Sequence, residues 1–120
     1  MNRIAIIEED ISLSEAANIM AKEKIGSLVF VTNHKPKGII TESDIVKNVN
    51  NTDMFITKVM SKDLITINMN RTLENAADIM AHHKIKRLVV MDGKKLVGII
   101  TATDILQNAD LLNRNTELFG

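Results

Sequence analysis

The sequence predicts an α+β fold built from two copies of one strand-helix-strand-strand-helix unit. Shifting the chain by 60 positions aligns Leu13–Asn48 with Leu73–Asn108 without a gap, and about half of the aligned pairs are identical. Helical and strand periodicities also alternate in the same order within both copies. One copy, at roughly 55 residues, buries too little surface to be comfortably stable alone. We therefore expect two units related by a pseudo-twofold axis and packed as one module, with units at 1–50 and 59–120 and a linker at 51–58.

Each unit begins with an edge strand and an amphipathic helix. Short apolar stretches at Ile4–Ile7 and Leu64–Ile67 predict the edge strands. Apolar residues then recur at helical spacing through Leu13–Lys24, and again 60 positions later. This spacing predicts one helix per unit that is buried along a single face.

Capping patterns mark where these two helices begin. Ser12 followed by Glu15 has the spacing of a capping box, in which two side chains satisfy two backbone N–H groups. In the second copy Thr72 takes the cap position, and Asn75 stands where the glutamate would be. We therefore expect a weaker box at the second helix.

A hairpin and a further helix complete each unit. The first strand, turn and return strand are predicted at Leu28–Val31, Thr32–Lys37 and Lys37–Ile40, and their counterparts at Leu88–Met91, Asp92–Lys94 and Val97–Ile100. The Thr-x-x-Asp pattern after each return strand predicts the start of the last helix, which runs to about Asn48 or Asn108.

Composition excludes several classes of function. The formal net charge is +0, which argues against a nucleic-acid partner because such proteins carry a clustered basic excess. There is no cysteine, so disulfides, thiolate metal sites and cysteine nucleophiles are excluded. No apolar run approaches the length of a membrane span and no signal-peptide pattern is present. We expect a cytoplasmic protein without a membrane partner.

The repeated Gly-Ile-Ile-Thr-x-(Ser/Thr)-Asp segment carries the candidate chemistry. A helix N-terminus presents unpaired N–H groups that suit a phosphate, and nearby hydroxyls can add hydrogen bonds. These hydroxyls belong to Thr41, Ser43, Thr101 and Thr103. The carboxylates of Asp44 and Asp104 offer acceptors for the two hydroxyls of a ribose. The same Thr-x-x-Asp spacing is also a helix-capping pattern, so both interpretations stay open.

The two copies, together with the segment Lys58–Ile67, resemble a pair of CBS domains, the Bateman module. The resemblance covers nearly the whole chain. It implies pseudo-twofold pairing and assembly of two chains into a homodimer. It also implies that adenosine ligands such as AMP, ADP, ATP or S-adenosylmethionine bind in clefts between the two CBS units.

The resemblance implies two ligand sites that take residues from both copies. Site A would consist of Ala5, Ile25, Gly26, Lys86, Arg87, Thr101, Thr103 and Asp104. Site B would consist of Thr41, Ser43, Asp44, Ile65, Ile85 and Lys86. Arg87 could bind a phosphate through two parallel hydrogen bonds, whereas the first copy has Gly26 and Ser27 at the positions of Lys86 and Arg87. We therefore expect the phosphorylated ligand at the site of Asp104.

The leading functional hypothesis is a regulatory module that senses an adenosine nucleotide and signals to a separate, unknown effector protein. Alternatives are a structural dimerisation module without a ligand, and a binder of S-adenosylmethionine. An enzyme acting on a nucleotide is the least favoured, because no nucleophile–base pair is evident in the sequence. We expect no catalytic residues, no metal site and no obligatory cofactor.

Overall fold

A computed structural model describes residues 5–108. Residues 1–4 and 109–120 lie outside it, and so does the first residue of the predicted strand Ile4–Ile7. One compact unit ends at Leu64, and a second begins at Ile65. Both units have the predicted order of strand, helix, strand, strand and helix. The α+β fold class is therefore confirmed. The predicted boundaries at 1–50, 51–58 and 59–120 stay predictions.

The first unit is a three-stranded sheet with its helices in the predicted order. Its elements are β1 (Ile6–Ile7), α1 (Leu13–Glu23), β2 (Ser27–Thr32), β3 (Lys35–Thr41), α2 (Glu42–Lys47), a 3₁₀ turn (Val49–Asn51) and α3 (Ile56–Val59). The strand order is β1-β2-β3. Strand β1 runs parallel to β2, and β2 pairs with β3 in an antiparallel hairpin.

The second unit repeats this topology. Its elements are β4 (Thr66–Asn68), α4 (Leu73–His83), β5 (Arg87–Asp92), β6 (Lys95–Thr101) and α5 (Ala102–Gln107). The strand order is β4-β5-β6, again with one parallel and one antiparallel pairing. Among residues 5–108, no helix combines the length and the apolar character needed to cross a membrane.

Each unit has its own apolar core. The first contains Leu13, Ala16, Met20, Leu28, Phe30, Ile40 and Ile56. The second contains Ile67, Leu73, Ala76, Met80, Leu88, Val90, Ile100 and Ile105. The helical members recur at intervals of three and four residues and the paired strand members at intervals of two, as expected for one helix face on one sheet face. Complete burial of each large aliphatic side chain contributes roughly 1.5–3 kcal/mol.

The first hairpin turn is tighter than predicted. Asn33 and His34 form it alone, both with positive φ angles of 51° and 64°. Pro36, which the sequence analysis assigned to the turn, lies in β3 opposite Val31. The pairing shifts register between Phe30 and Val31, and such a bulge tolerates a proline because it interrupts the hydrogen-bond ladder.

Ser12 and Thr72 cap the first helix of each unit as predicted, but the expectation that the second capping box is the weaker one was wrong. In α4 the Asn75 amide donates to Thr72 Oγ1 at 3.1 Å, and the Thr72 amide donates to Asn75 Oδ1 at 3.2 Å. In α1 the Glu15 amide donates to Ser12 Oγ, but the Glu15 carboxylate accepts from the Ser12 hydroxyl at 3.4 Å. The capping box is therefore complete at α4, where Oδ1 of the shorter asparagine accepts from the Thr72 N–H, and incomplete at α1.

The segment 56–64 packs within the first unit and contains α3, a helix that was not predicted from the sequence. Ile56 in α3 is buried. Ser61 and Ile39 exchange two backbone hydrogen bonds, each 3.0 Å long. A Cβ built on Gly38 would lie 2.7 Å from Met60 Cγ and 2.9 Å from Met60 Cε. A side chain at position 38 would therefore overlap the Met60 side chain unless that side chain moved.

Candidate functional site

A pocket of about 370 Å³ in the second unit brings most of the predicted site A together. It is lined by Lys86, Arg87, Thr101, Ala102, Thr103, Asp104 and Gln107. Arg87, the first residue of β5, pairs with Thr101, the last residue of β6. The Ala102 amide donates to the Lys86 carbonyl at 2.9 Å. These bonds hold the start of β5 against the start of α5.

Asp104 has a structural role in this pocket. The Thr101 amide donates to Asp104 Oδ2 at 2.8 Å, and the Asp104 amide donates to Thr101 Oγ1 at 3.2 Å. This is a complete capping box at the start of α5. Within residues 5–108 the other carboxylate oxygen, Oδ1, makes no hydrogen bond. The capping interpretation is therefore satisfied without excluding a ligand, since one acceptor oxygen is left over.

The start of α5 offers fewer free amides than the sequence predicted. The Ala102 amide donates to Lys86, and the Asp104 amide donates to Thr101. Of the first three amides of this helix, only that of Thr103 lacks a hydrogen bond to a described residue. A six-residue helix also has only a small dipole. Attraction of an anion here must therefore come mainly from side-chain cations.

Two such cations border the pocket. Lys86 and Arg87 are both exposed. Within the described part of the chain, neither makes an ion pair. With Asp104 they give the pocket a net formal charge of one positive unit. The pocket therefore combines two uncommitted cations with hydroxyl and carboxylate groups.

The corresponding place in the first unit has the same backbone geometry. The Thr41 amide donates to Asp44 Oδ2 at 2.9 Å, and the Asp44 amide donates to Thr41 Oγ1 at 3.4 Å. The Glu42 amide donates to the Gly26 carbonyl at 3.1 Å. Ser43 is exposed beside them. No cation takes the places of Lys86 and Arg87, so this unit presents the capping box without their charges.

The remaining members of the predicted sites belong to the other unit in each case. Ala5, Ile25 and Gly26 of site A lie in the first unit, and Ile65, Ile85 and Lys86 of site B lie in the second. Each of the six lies one or two residues before the start of a strand. The Ala5 and Ile65 carbonyls, for example, accept from the Val29 and Val89 amides. Their contribution to ligand binding stays a prediction.

Two pocket residues were not predicted. Gln107 lies four positions after Thr103 on α5, and residues at this spacing share a helix face. Ala102 lines the pocket at the position where the first unit has Glu42. Both signals were present in the sequence, one in helix periodicity and the other in the alignment of the two copies.

A second pocket of about 370 Å³ lies at the first hairpin. It is lined by Glu8, Val31, Thr32, Asn33 and His34. None of these residues belongs to a predicted site. Among the described residues, no group of three or more histidine, aspartate or glutamate side chains could hold a metal ion.

Comparison with known proteins identifies the family. The CBS domain model matches the chain twice, at residues 1–51 and 56–110. The chain is 38% identical over 102 residues to protein MJ1232 of Methanocaldococcus jannaschii, covering 84% of this chain and 34% of that protein. It is 31% identical over 110 residues to the CBS domain-containing protein YhcV of Bacillus subtilis, covering 88% and 79%. The chain thus spans only about a third of the first relative.

Solved structures share the fold. The CBS domain pair of protein MJ0100, in complex with 5′-methylthioadenosine and S-adenosyl-L-methionine, has a TM-score of 0.80 at 30% identity, covering 92% of this chain and 90% of that one. CBS domain protein PAE2072 from Pyrobaculum aerophilum, complexed with AMP, has a TM-score of 0.81 at 23% identity, covering 95% and 92%. Both halves of the chain match the same family model, and the chain therefore belongs to the CBS domain family as a tandem pair.

Proposed function

We propose that this chain is a regulatory module that binds an adenosine-containing ligand, with the pocket of the second unit as the subsite for its phosphate and ribose. The observation that carries the proposal is the convergence of five predicted residues on one pocket: Lys86, Arg87, Thr101, Thr103 and Asp104. The family and the adenosine compounds bound to the MJ0100 pair support the class of ligand.

The groups in this pocket suit AMP, ADP or ATP. The guanidinium of Arg87 can donate two parallel hydrogen bonds to phosphate oxygens, and Lys86 adds a second positive charge. The Thr103 hydroxyl can donate to the same phosphate. Asp104 Oδ1 can accept from a ribose hydroxyl while Oδ2 keeps its capping bond. We propose that the predicted residues of the first unit (Ala5, Ile25 and Gly26) complete site A.

S-adenosylmethionine is a second candidate ligand. It is favoured by the MJ0100 pair, which is 30% identical and contains this compound. Its amino-acid carboxylate could bind Arg87 in place of a phosphate, but its sulfonium and ammonium groups are cations that Lys86 and Arg87 would repel. The phosphorylated nucleotides therefore fit the charges of this pocket better.

A purely structural module is the remaining alternative. It is favoured by the capping boxes, because helix capping alone already accounts for Thr41, Asp44, Thr101 and Asp104. It leaves Lys86 and Arg87 without a role. Exposed lysine and arginine side chains are ordinary surface residues, so only a binding experiment separates the two hypotheses.

The experiment is titration of the ¹⁵N-labelled protein with AMP, S-adenosylmethionine and GMP, followed by amide chemical shifts. The proposal predicts that AMP shifts the amides of Arg87, Thr103 and Asp104 at micromolar concentration, and that GMP has a much weaker effect. Saturable shifts with S-adenosylmethionine, and none with AMP, would favour S-adenosylmethionine as the ligand. A spectrum unchanged by all three compounds would favour the structural module.

The signalling role is also part of this proposal. Binding of a ligand that prefers one arrangement of the protein shifts the population towards it, and a separate effector protein can respond to that shift. We propose that the module acts as a cytoplasmic homodimer and carries out no reaction of its own. The exposed apolar side chains of Val46 (71%), Val49 (65%) and Leu106 (76%) support self-association.

A further inference from the structure

The two units carry opposite charges at matching positions. Ser27 pairs with Thr41 in the first unit as Arg87 pairs with Thr101 in the second. The Glu42 amide donates to the Gly26 carbonyl at 3.1 Å, and the Ala102 amide donates to the Lys86 carbonyl at 2.9 Å. Residues 26, 27 and 42 therefore occupy the same places in the backbone as residues 86, 87 and 102.

At these three places the side chains differ by three unit charges. The second unit has Lys86, Arg87 and Ala102, which together carry two positive charges. The first unit has Gly26, Ser27 and Glu42, which carry one negative charge. The capping threonine and aspartate are the same in both units. Gln107 of the pocket is matched by Lys47 in the first unit, so the positions that line the pocket carry a net charge of +1 in the second unit and −1 in the first.

The carboxylate of Glu42 lies over Gly26. Its Cδ and Oε1 atoms are each 3.7 Å from the position that a Cβ on Gly26 would occupy. Within the described residues Glu42 makes no ion pair that would neutralise it. The negative charge thus lies 3.7 Å from the position that corresponds to the Cβ atom of Lys86 in the second unit. Ala102 leaves the equivalent space of the second unit open, and there it lines the pocket.

We infer that Glu42 is a charge-selecting residue that disfavours anionic groups at Thr41–Asp44, so that the second unit binds a phosphate or carboxylate more tightly than the first. This inference rests on the proposed function, since it states which half of the pair binds the anionic part of the proposed ligand. A ligand with a phosphate at each end would therefore bind the second unit more tightly than the first.

The test uses inorganic pyrophosphate as the probe, at constant ionic strength, with the ¹⁵N-labelled full chain. The amides of Thr103 and Asp104 report the second unit, and those of Ser43 and Asp44 report the first. In the wild-type protein we expect saturation in the second unit at a concentration at least fivefold lower than in the first. Glu42→Gln should tighten binding in the first unit about fivefold, the factor for one unit charge at ~4 Å in water.

Glu74→Gln is the matched control, because Glu74 is an exposed glutamate in the first turn of α4 and lies outside the pocket. It should leave both affinities unchanged. Equal affinities of the two units in the wild type, or no effect of Glu42→Gln, would overturn the inference. The proposed function is tested separately with AMP. If the wild-type protein does not bind AMP but shows the expected difference in pyrophosphate affinity between the two units, the proposed function is refuted and the charge selection by Glu42 is retained.

Discussion

At the scale of single residues, Asp104 combines two roles that its sequence pattern could not separate. The Thr-x-x-Asp spacing predicted either a cap or a ligand group. The structure uses Oδ2 for the cap and leaves Oδ1 without a hydrogen bond to any residue between 5 and 108. Asn75 caps α4 through a single amide oxygen, so an asparagine at position 104 can keep the cap. The two roles are therefore experimentally separable.

We predict that Asp104→Asn preserves the stability of the fold and weakens the binding of AMP. The asparagine oxygen can accept from the Thr101 amide as Asn75 does for Thr72, so the free energy of unfolding should change by less than about 0.5 kcal/mol. AMP affinity should fall roughly tenfold, because one ribose acceptor becomes a donor. Urea denaturation and AMP titration measure the two effects.

Asp104→Ala is the companion variant, because it removes the cap as well. It should lose about 1 kcal/mol of stability in addition to its AMP affinity. If Asp104→Asn binds AMP as well as the wild type, Asp104 has only its capping role.

The neighbouring Arg87 should distinguish a phosphorylated ligand from an unphosphorylated one. Arg87→Ala should weaken the binding of AMP roughly tenfold or more, since hydrogen bonds to charged groups contribute about 1.5–3 kcal/mol. Adenosine affinity should stay within about twofold in the same titration. Lys94→Ala removes an exposed cation outside the pocket and should affect neither ligand. Equal losses for AMP and adenosine would mean that Arg87 does not contact a phosphate.

At the scale of elements, most of the fold was predictable because the two copies repeat one pattern. Helix α1 was predicted at Leu13–Lys24 and ends at Glu23, where Lys24 turns into a left-handed conformation. Both hairpins were predicted, but each of their strands is two or three residues longer than predicted. For β3 the reason is that Pro36 was assigned to the turn. Helix α3 was not predicted, because four residues are too few to establish a periodicity.

The pocket was predictable only in part. Thr101 and Asp104 follow from the capping pattern, and Lys86 and Arg87 were added from the family resemblance. Helix periodicity and the alignment of the two copies point to Gln107 and Ala102, but only the fold shows that they line the same pocket as Lys86 and Arg87. The position of the Glu42 carboxylate over Gly26 is a side-chain placement that sequence patterns do not specify.

The contact of Gly38 with Met60 gives a prediction on packing. Gly38→Ala should cost roughly 1–3 kcal/mol of unfolding free energy, because the added methyl group overlaps the Met60 side chain. The cost should shrink in a Met60→Ala background, which removes the overlap. Gly26→Ala is the control, since its Cβ would meet Glu42 at an ordinary 3.7 Å. A Gly38→Ala cost that Met60→Ala does not change would show that the contact is unimportant.

At the scale of the whole molecule, the proposed homodimer rests on exposed apolar side chains at matching positions. Val46 in α2 and Leu106 in α5 correspond in the two copies and are 71% and 76% exposed. Val46→Glu combined with Leu106→Glu should shift sedimentation from dimer to monomer, because burying two carboxylates is costly. The exposed Lys22→Glu and Lys94→Glu pair is the control. A wild-type monomer at all concentrations would refute self-association.

Calorimetric titration of the folded, ligand-free protein with AMP, with GMP as the control, tests whether the chain binds an adenosine nucleotide. We expect micromolar affinity for AMP, close to one site per chain, weak or absent binding of GMP, and a clear loss of AMP affinity in the stable Asp104→Asn variant. Absence of heat with AMP, and with S-adenosylmethionine under the same conditions, would refute adenosine binding and leave a structural module without a ligand.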